Sequence, residues 1–229
     1  MNKTQRMVLA AFAMVVAAPM LAVPATAAAG DFTPEFSFAL SDMRIKANPQ
    51  MTLKLAQDSG EEELSHVTLK IPPGFRLPTD AAVPNKDQIG AGSITIAAGP
   101  GCRPGALVGD AKAPLNAPAT VVEQDRTDEQ ADAGVYAVWV LDISGVTKVP
   151  LEIRGSKAVG YTFDGDITPN DNTCPPFSFE LKINSQTTSG VPVLRNPRFA
   201  KRYKFSATFT SADSPATVTI PQVFRITAS

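Results

Sequence analysis

Apolar and polar residues alternate with a period of two along much of the chain. Phe36, Phe38 and Leu40 alternate with Ser37, Ala39 and Ser41. Phe177, Phe179, Leu181 and Ile183 alternate with Ser178, Glu180, Lys182 and Asn184, and Tyr203, Phe205, Ala207 and Phe209 with Lys204, Ser206, Thr208 and Thr210. This spacing predicts half-buried strands, because successive side chains of a strand point to opposite faces. Val135 to Ile143 is apolar on both faces apart from Asp142, which predicts a central strand covered on two sides. Further strands are expected at Met51–Gln57, Leu64–Ile71, Ser93–Ala97, Leu151–Arg154, Tyr161–Ile167 and Val218–Ile226, with turns such as Asp58-Ser59-Gly60 and Asp164-Gly165 between them. Helical period is weak everywhere. Val121–Ala133 is the one window where a short helix is expected.

The pattern also repeats. Pro34-Glu35-Phe36-Ser37-Phe38-Ala39-Leu40 matches Pro175-Pro176-Phe177-Ser178-Phe179-Glu180-Leu181 at five of seven positions. Asn48-Pro49 follows the first copy and Asn196-Pro197 the second, and Thr68, Ile71, Pro72 and Phe75 recur as Thr217, Ile220, Pro221 and Phe224. The expectation is a duplicated β unit, roughly 34–75 and 175–224. Pro72 and Pro221 lack an amide hydrogen and should lie at strand ends or on edge strands. The fold class expected is all-β, an immunoglobulin-like sandwich in two abutting halves, 28–104 and 105–229, with one continuous sandwich as the alternative.

Residues 1–27 stand apart. Lys3 and Arg6 precede an uncharged apolar run from Met7 to Val23, and Ala25-Thr26-Ala27 fits a small-x-small cleavage site. A run of about 17 residues containing Pro19 is short for a spanning helix, which needs ~20, so a cleaved secretory leader is expected. The product would be secreted or extracellular, at the cell envelope or beyond it, with no later membrane span. Losing Lys3 and Arg6 takes the net charge from -1 to about -3. That balance argues against a chain-wide grip on nucleic acid. The 20 prolines in 229 residues further disfavour long helices. Cys102 and Cys174 are the only cysteines, and an even count in an exported chain points to one disulfide.

The segment Val67-Thr68-Leu69-Lys70-Ile71-Pro72-Pro73-Gly74-Phe75, then Ile89-Gly90-Ala91-Gly92-Ser93-Ile94-Thr95-Ile96, then Cys102, resembles secreted β-domain proteins of high-GC Gram-positive bacteria. Asn196-Pro197 followed by Ala207-Thr208-Phe209-Thr210-Ser211 is similar to a later part of that pattern. The resemblance implies an immunoglobulin-like extracellular module. Tandem proteins of this group carry more cysteines than the single pair here.

Candidate chemistry is sparse. There is no Gly-x-Ser-x-Gly frame, no glycine-rich phosphate loop and no His-Glu-x-x-His. His66 is the sole imidazole, and the Leu64-Ser65-His66 alternation places it on the face of Leu64. Asp164, Asp166, Asn170, Asp171 and Asn172 gather oxygen ligands, but their spacing does not fit an EF-hand and reads as turns, so no metal or other cofactor is expected. Charge, by contrast, is segregated. Arg195, Arg198, Lys201, Arg202 and Lys204 lie within ten residues, with Phe199 and Tyr203 between them. Glu123, Asp125, Asp128, Glu129 and Asp132 form an acidic stretch, and Glu61–Glu63 another. The reading is a non-catalytic β protein that contacts an anionic envelope polymer or an acidic protein through Arg195, Arg198, Lys201 and Arg202. The alternatives are a secreted hydrolase built on paired carboxylates and a surface-assembly subunit.

Overall fold

In the computed structural model the alternating segments become strands of a single antiparallel sheet. The structure describes residues 32–58, 64–96, 115–144, 146–167, 176–212 and 214–228. The expected leader, Cys102 and Cys174 with their disulfide, the Glu61–Glu63 run and residues 170–172 lie outside the described residues. The strands are β1 (Glu35–Leu40), β2 (Met51–Ala56), β3 (Leu64–Ile71), β4 (Gln88–Ile96), β5 (Leu115–Gln124), β6 (Val135–Ile143), β7 (Thr147–Ser156), β8 (Gly160–Asp166), β9 (Pro176–Ile183), β10 (Arg202–Ser211) and β11 (Thr217–Arg225). A 3-10 turn at Asp80–Ala82 and a short helix, α1 (Asp128–Asp132), are the other regular elements among the described residues.

The all-β expectation holds, and β3 and β6 have the expected limits. The finer picture differs. One ladder runs through all eleven strands in the order β1-β2-β9-β4-β5-β6-β7-β8-β3-β10-β11. Strands from before and after residue 104 therefore interleave: β9 lies between β2 and β4, and β3 between β8 and β10. The repeated segments do not take equivalent places either. β1 pairs β2, whereas β9 pairs β2 and β4, and β10 pairs β3 and β11.

The sheet curls until its end strands meet, giving a nearly closed barrel. No backbone ladder joins β1 to β11. The seam is made by the Phe38 amide, which donates to Gln222 Oε1 at 2.7 Å, and by Met43–Ile45 running beside Thr227. The Thr227 amide donates to the Met43 carbonyl at 2.8 Å, and the Ile45 amide to the Thr227 carbonyl at 2.9 Å. Phe205 anchors the seam from within. Its ring lies 4.8 Å from Phe38, 5.0 Å from Phe75 and 5.1 Å from Phe224.

Antiparallel pairing gathers the ends of the odd-numbered strands and the starts of the even-numbered ones at one end of the barrel. The segments 72–79 and 184–201 close that end. Phe75, Leu77, Val193 and Leu194 are buried there in the same core as the strand residues. The exterior carries charge: Lys54 pairs Glu180, Lys148 pairs Asp142 and Arg154 pairs Glu152. An apolar interior inside a charged wall is the reverse of a lipid-facing barrel. Among the described residues no helix is long and apolar enough to cross a membrane.

The prolines follow the ladder's needs. Pro72 falls just past β3, and Pro221 lies in the end strand β11. Pro118 and Pro150 lie inside internal strands, each one residue before a neighbour joins. The β5–β6 ladder begins at Ala119 and the β7–β8 ladder at Leu151, so neither proline leaves a ladder acceptor unpaired. The helix expected over 121–133 shrinks to α1, because Val121–Gln124 continues β5. Thr127 and Gln130 form the capping box that starts α1.

β4 and β9 approach closely because two glycines permit it. A Cβ on Gly92 would fall 1.9 Å from the Glu180 carbonyl oxygen and 2.9 Å from Leu181 Cα. Gly92→Ala must push the two strands apart. It is expected to cost about 1–3 kcal/mol, read as a lower denaturation midpoint; an unchanged midpoint would refute the close approach.

Candidate functional site: a cationic collar at the closed end

The four candidate contact residues lie together on the segment that closes the barrel. Arg195, Arg198, Lys201 and Arg202 are all exposed. Backbone bonds fix the segment from both sides. Arg76 and Arg195 exchange amide-to-carbonyl bonds at 3.0 and 2.8 Å, the Lys46 amide donates to Pro197, the Asn196 amide to Ala47 and the Ile226 amide to Lys201. Buried Asn196 adds a side-chain clamp, donating Nδ2 to the carbonyls of Asp42 and Arg44 at 2.9 and 2.8 Å. The Tyr203 hydroxyl donates to the Phe199 carbonyl at 3.0 Å.

This framework recruits cations that are distant in sequence. Arg76 sits directly across from Arg195, and Arg202 directly across from Arg225. Like charges directly opposite one another oppose pairing. Among the described residues none of Arg195, Arg198, Lys201 and Arg202 has an acidic partner within salt-bridge distance. Lys201 Nζ instead lies 5.0 Å from the centre of the Tyr203 ring. Neighbouring Arg44 differs. It grips Asp42, and these hydrogen bonds pull the Asp42 carboxyl down to about 2. Phe199 stands out of the collar with 73% of its surface exposed. Sequence spacing showed the 195–202 cations; Arg76 and Arg225 join them only through strand register.

The acidic stretch is organised differently. Glu123 is the last inward residue of β5, in step with Ala117, Ala119 and Val121, and is 1% exposed. Its backbone holds the 80–87 connection: the Lys86 amide donates to the Glu123 carbonyl at 2.8 Å, and the Glu123 amide to Asp87 at 3.0 Å. Burial pushes the Glu123 carboxyl up to about 9, aided by the facing Asp80 carboxyl and by Asp125, while the Trp139 indole acts the other way. Asp80 Oδ1 and Glu123 Oε1 are both buried without a hydrogen-bond partner, and a proton kept on Glu123 avoids burying two like charges side by side. Asp80 Oδ2 accepts from Arg126 Nε at 3.0 Å, and Arg126 Nη1 donates to the Val135 carbonyl. This pair was invisible to sequence reasoning because β5 itself was missed. Glu123 itself is sealed from solvent, whereas Asp125, Asp128, Glu129 and Asp132 are exposed.

His66 lies on the outer wall. Its Nε2 is 2.6 Å from Asp164 Oδ1, which also accepts from the Thr68 hydroxyl at 3.1 Å. The expectation that His66 shares the face of Leu64 is corrected. A bulge at Ser65 pairs Thr210 with His66 and Ser211 with Leu64, so the face reverses: Leu64 is buried and His66 half-exposed. The Ser65 hydroxyl fills the bulge by donating to the carbonyls of Thr210 and Ser211. Among the described residues no cluster of three or more His, Cys, Asp or Glu could hold a metal ion.

Fold and site together define an all-β protein whose single curled sheet carries a rigid cationic collar at its closed end. The chain matches no protein-family model and no curated protein sequence.

Proposed function

We propose that this is an exported, non-catalytic binding protein that docks through its collar onto an anionic polymer of the cell envelope. The observation that carries the reading is the pair of facing arginines, Arg76 with Arg195 and Arg202 with Arg225. Two like-charge contacts on a backbone-clamped surface cost stability. Arg195, whose Nε donates to the Lys46 carbonyl at 3.3 Å, and Arg202 have no acidic partner among the described residues and can meet an external anion. Phe199 supplies an exposed ring in the same surface, which suits a polymer with apolar as well as acidic groups.

The test is a pull-down with cell-wall fractions. The chain is expected to be retained at low ionic strength and released as salt shortens the Debye length from ~10 Å at 0.1 M toward ~3 Å at 1 M. The quadruple variant R195E/R198E/K201E/R202E is expected to pass through unretained. Placing Glu at 195 and 202 also turns two repulsive pairs into attractive ones, so the variant should be no less stable than the parent. Undiminished retention of a folded quadruple variant would overturn the proposal.

A further inference from the structure

We propose that the half of the barrel away from the plug formed by segments 72–79 and 184–201 is a binding site for a single linear alkyl chain. The argument begins with strand number. An eight-stranded barrel is just wide enough for its own side chains to fill, and wider barrels enclose space. This barrel has eleven strands. At the closed end the extra width is taken up by Phe75, Leu77, Val193 and Leu194. Toward the other end no described segment crosses the interior in this way: Leu55, Leu64 and Phe209 of the wall, with Phe32 just before β1, cluster along one side.

A cavity of about 90 Å³ lies in this second half. Among the described residues fourteen line it, thirteen from nine of the eleven strands and Ile167 just past β8, every one of them apolar. One water needs ~10–15 Å³ and two to four polar partners. The space is several times that size and offers no partner, so water is a poor occupant. Native interiors leave few such voids.

The shape selects a slender guest. Phe163 in β8 and Ile167 just past its end, roughly 13 Å apart at the rise of a strand, both line the cavity, so it runs along the wall. Gly165 sits between them, facing inward. A Cβ there would fall 2.4 Å from Leu151 Cδ2, so the absent side chain lets Leu151, itself a lining residue, lie flat against the wall instead of projecting into the cavity. Phe36, Val67, Ile167 and Phe179 are only half-buried, so the cavity reaches toward the surface. A straight hydrocarbon tail matches a deep, narrow, wholly apolar space. A sugar, a nucleotide or a peptide would leave its polar groups unpaired there.

The experiment uses the mature chain, unfolded and refolded to strip bound lipid, and titrated with dansyl-labelled undecanoic acid. Saturable one-to-one fluorescence enhancement is expected, reversed by decane, which has no headgroup to compete for. Ala207→Phe and Leu53→Phe insert a ring into the cavity from different walls. Each is expected to weaken binding by about tenfold or more while near-ultraviolet dichroism stays native. The collar variant R195E/R198E/K201E/R202E should bind the probe like the parent, so this test stands or falls separately from the envelope pull-down. The proposal is overturned if the refolded parent shows no saturable binding, if decane fails to displace the probe, or if both ring variants, natively folded, bind within about twofold of the parent.

Discussion

Phe205→Ala is expected to lower the stability of the chain by about 3–5 kcal/mol, the largest loss of any single truncation considered for this fold. The ring is 1% exposed and touches three others, each from a different part of the molecule: Phe38 of β1, Phe224 of β11 and Phe75 of the plug. Aromatic pairs of this kind add about 0.5–1.5 kcal/mol each beyond the area they bury. The position matters as much as the burial. β1 and β11 share no ladder, so the seam relies on the Gln222 side chain, the Met43–Thr227 contacts and this ring cluster. Losing the ring should therefore loosen the seam before the rest of the sheet. Denaturant titration should show a lower midpoint, and hydrogen exchange should show faster exchange at the Phe38 amide than at amides of β6. A loss below about 1 kcal/mol would mean that the seam does not depend on Phe205.

Stability should also fall as pH rises from about 5 to about 9, and Glu123→Gln should remove that dependence. The Glu123 carboxyl is raised from 4.5 to about 9 in the folded chain. Between those values the folded state holds a proton that the unfolded state has released. The contribution is thus complete below the unfolded value and lost as pH climbs through the folded one. The slope can approach one proton, about 1.4 kcal/mol per pH unit. Several charged groups surround the pair: Asp80 from the 3-10 turn, Asp125 beyond β5, and Arg126, which is committed to Asp80. Glu123→Gln keeps the shape and supplies an amide donor to Asp80 without titrating. The variant should match the parent near pH 5 and exceed it near pH 8 in denaturation midpoint. A variant that keeps the parent's slope would show that another group is responsible.

Local pattern located most strands but none of their partners. β6 was legible because Val135–Ile143 is apolar on both faces, and it is indeed an internal strand with Val138 and Val140 buried on one side and Trp139 and Leu141 on the other. β5 was hidden because its inward positions are Ala117, Ala119, Val121 and Glu123: two small residues and an acid blur the alternation, and Pro118 argues against an internal strand. The bulge at Ser65 inserts one residue that no period can anticipate, and it sends His66 to the opposite wall. The repeat is real as a string of residues, yet its copies pair differently, since the same amphipathic strand can be completed by any neighbour with a matching apolar face. Of the candidate site, the charge of 195–202 was visible. The clamp that holds it, and the arginines that face it, depend on contacts between residues up to 154 positions apart.

The interleaved order has a consequence for the timing of folding. When the first 96 residues have left the ribosome, only the β1–β2 pairing is available to them. β3 awaits β8 and β10, and β4 awaits β5 and β9. The seam waits longest, since Gln222 and Thr227 lie within the last eight residues. Once Asp166 has emerged the run β4-β5-β6-β7-β8-β3 can pair, whereas β9, β10 and β11, and with them closure of the barrel, must wait for the last part of the chain. For a chain exported as proposed above, the barrel could not close until nearly all of it had crossed the translocation channel.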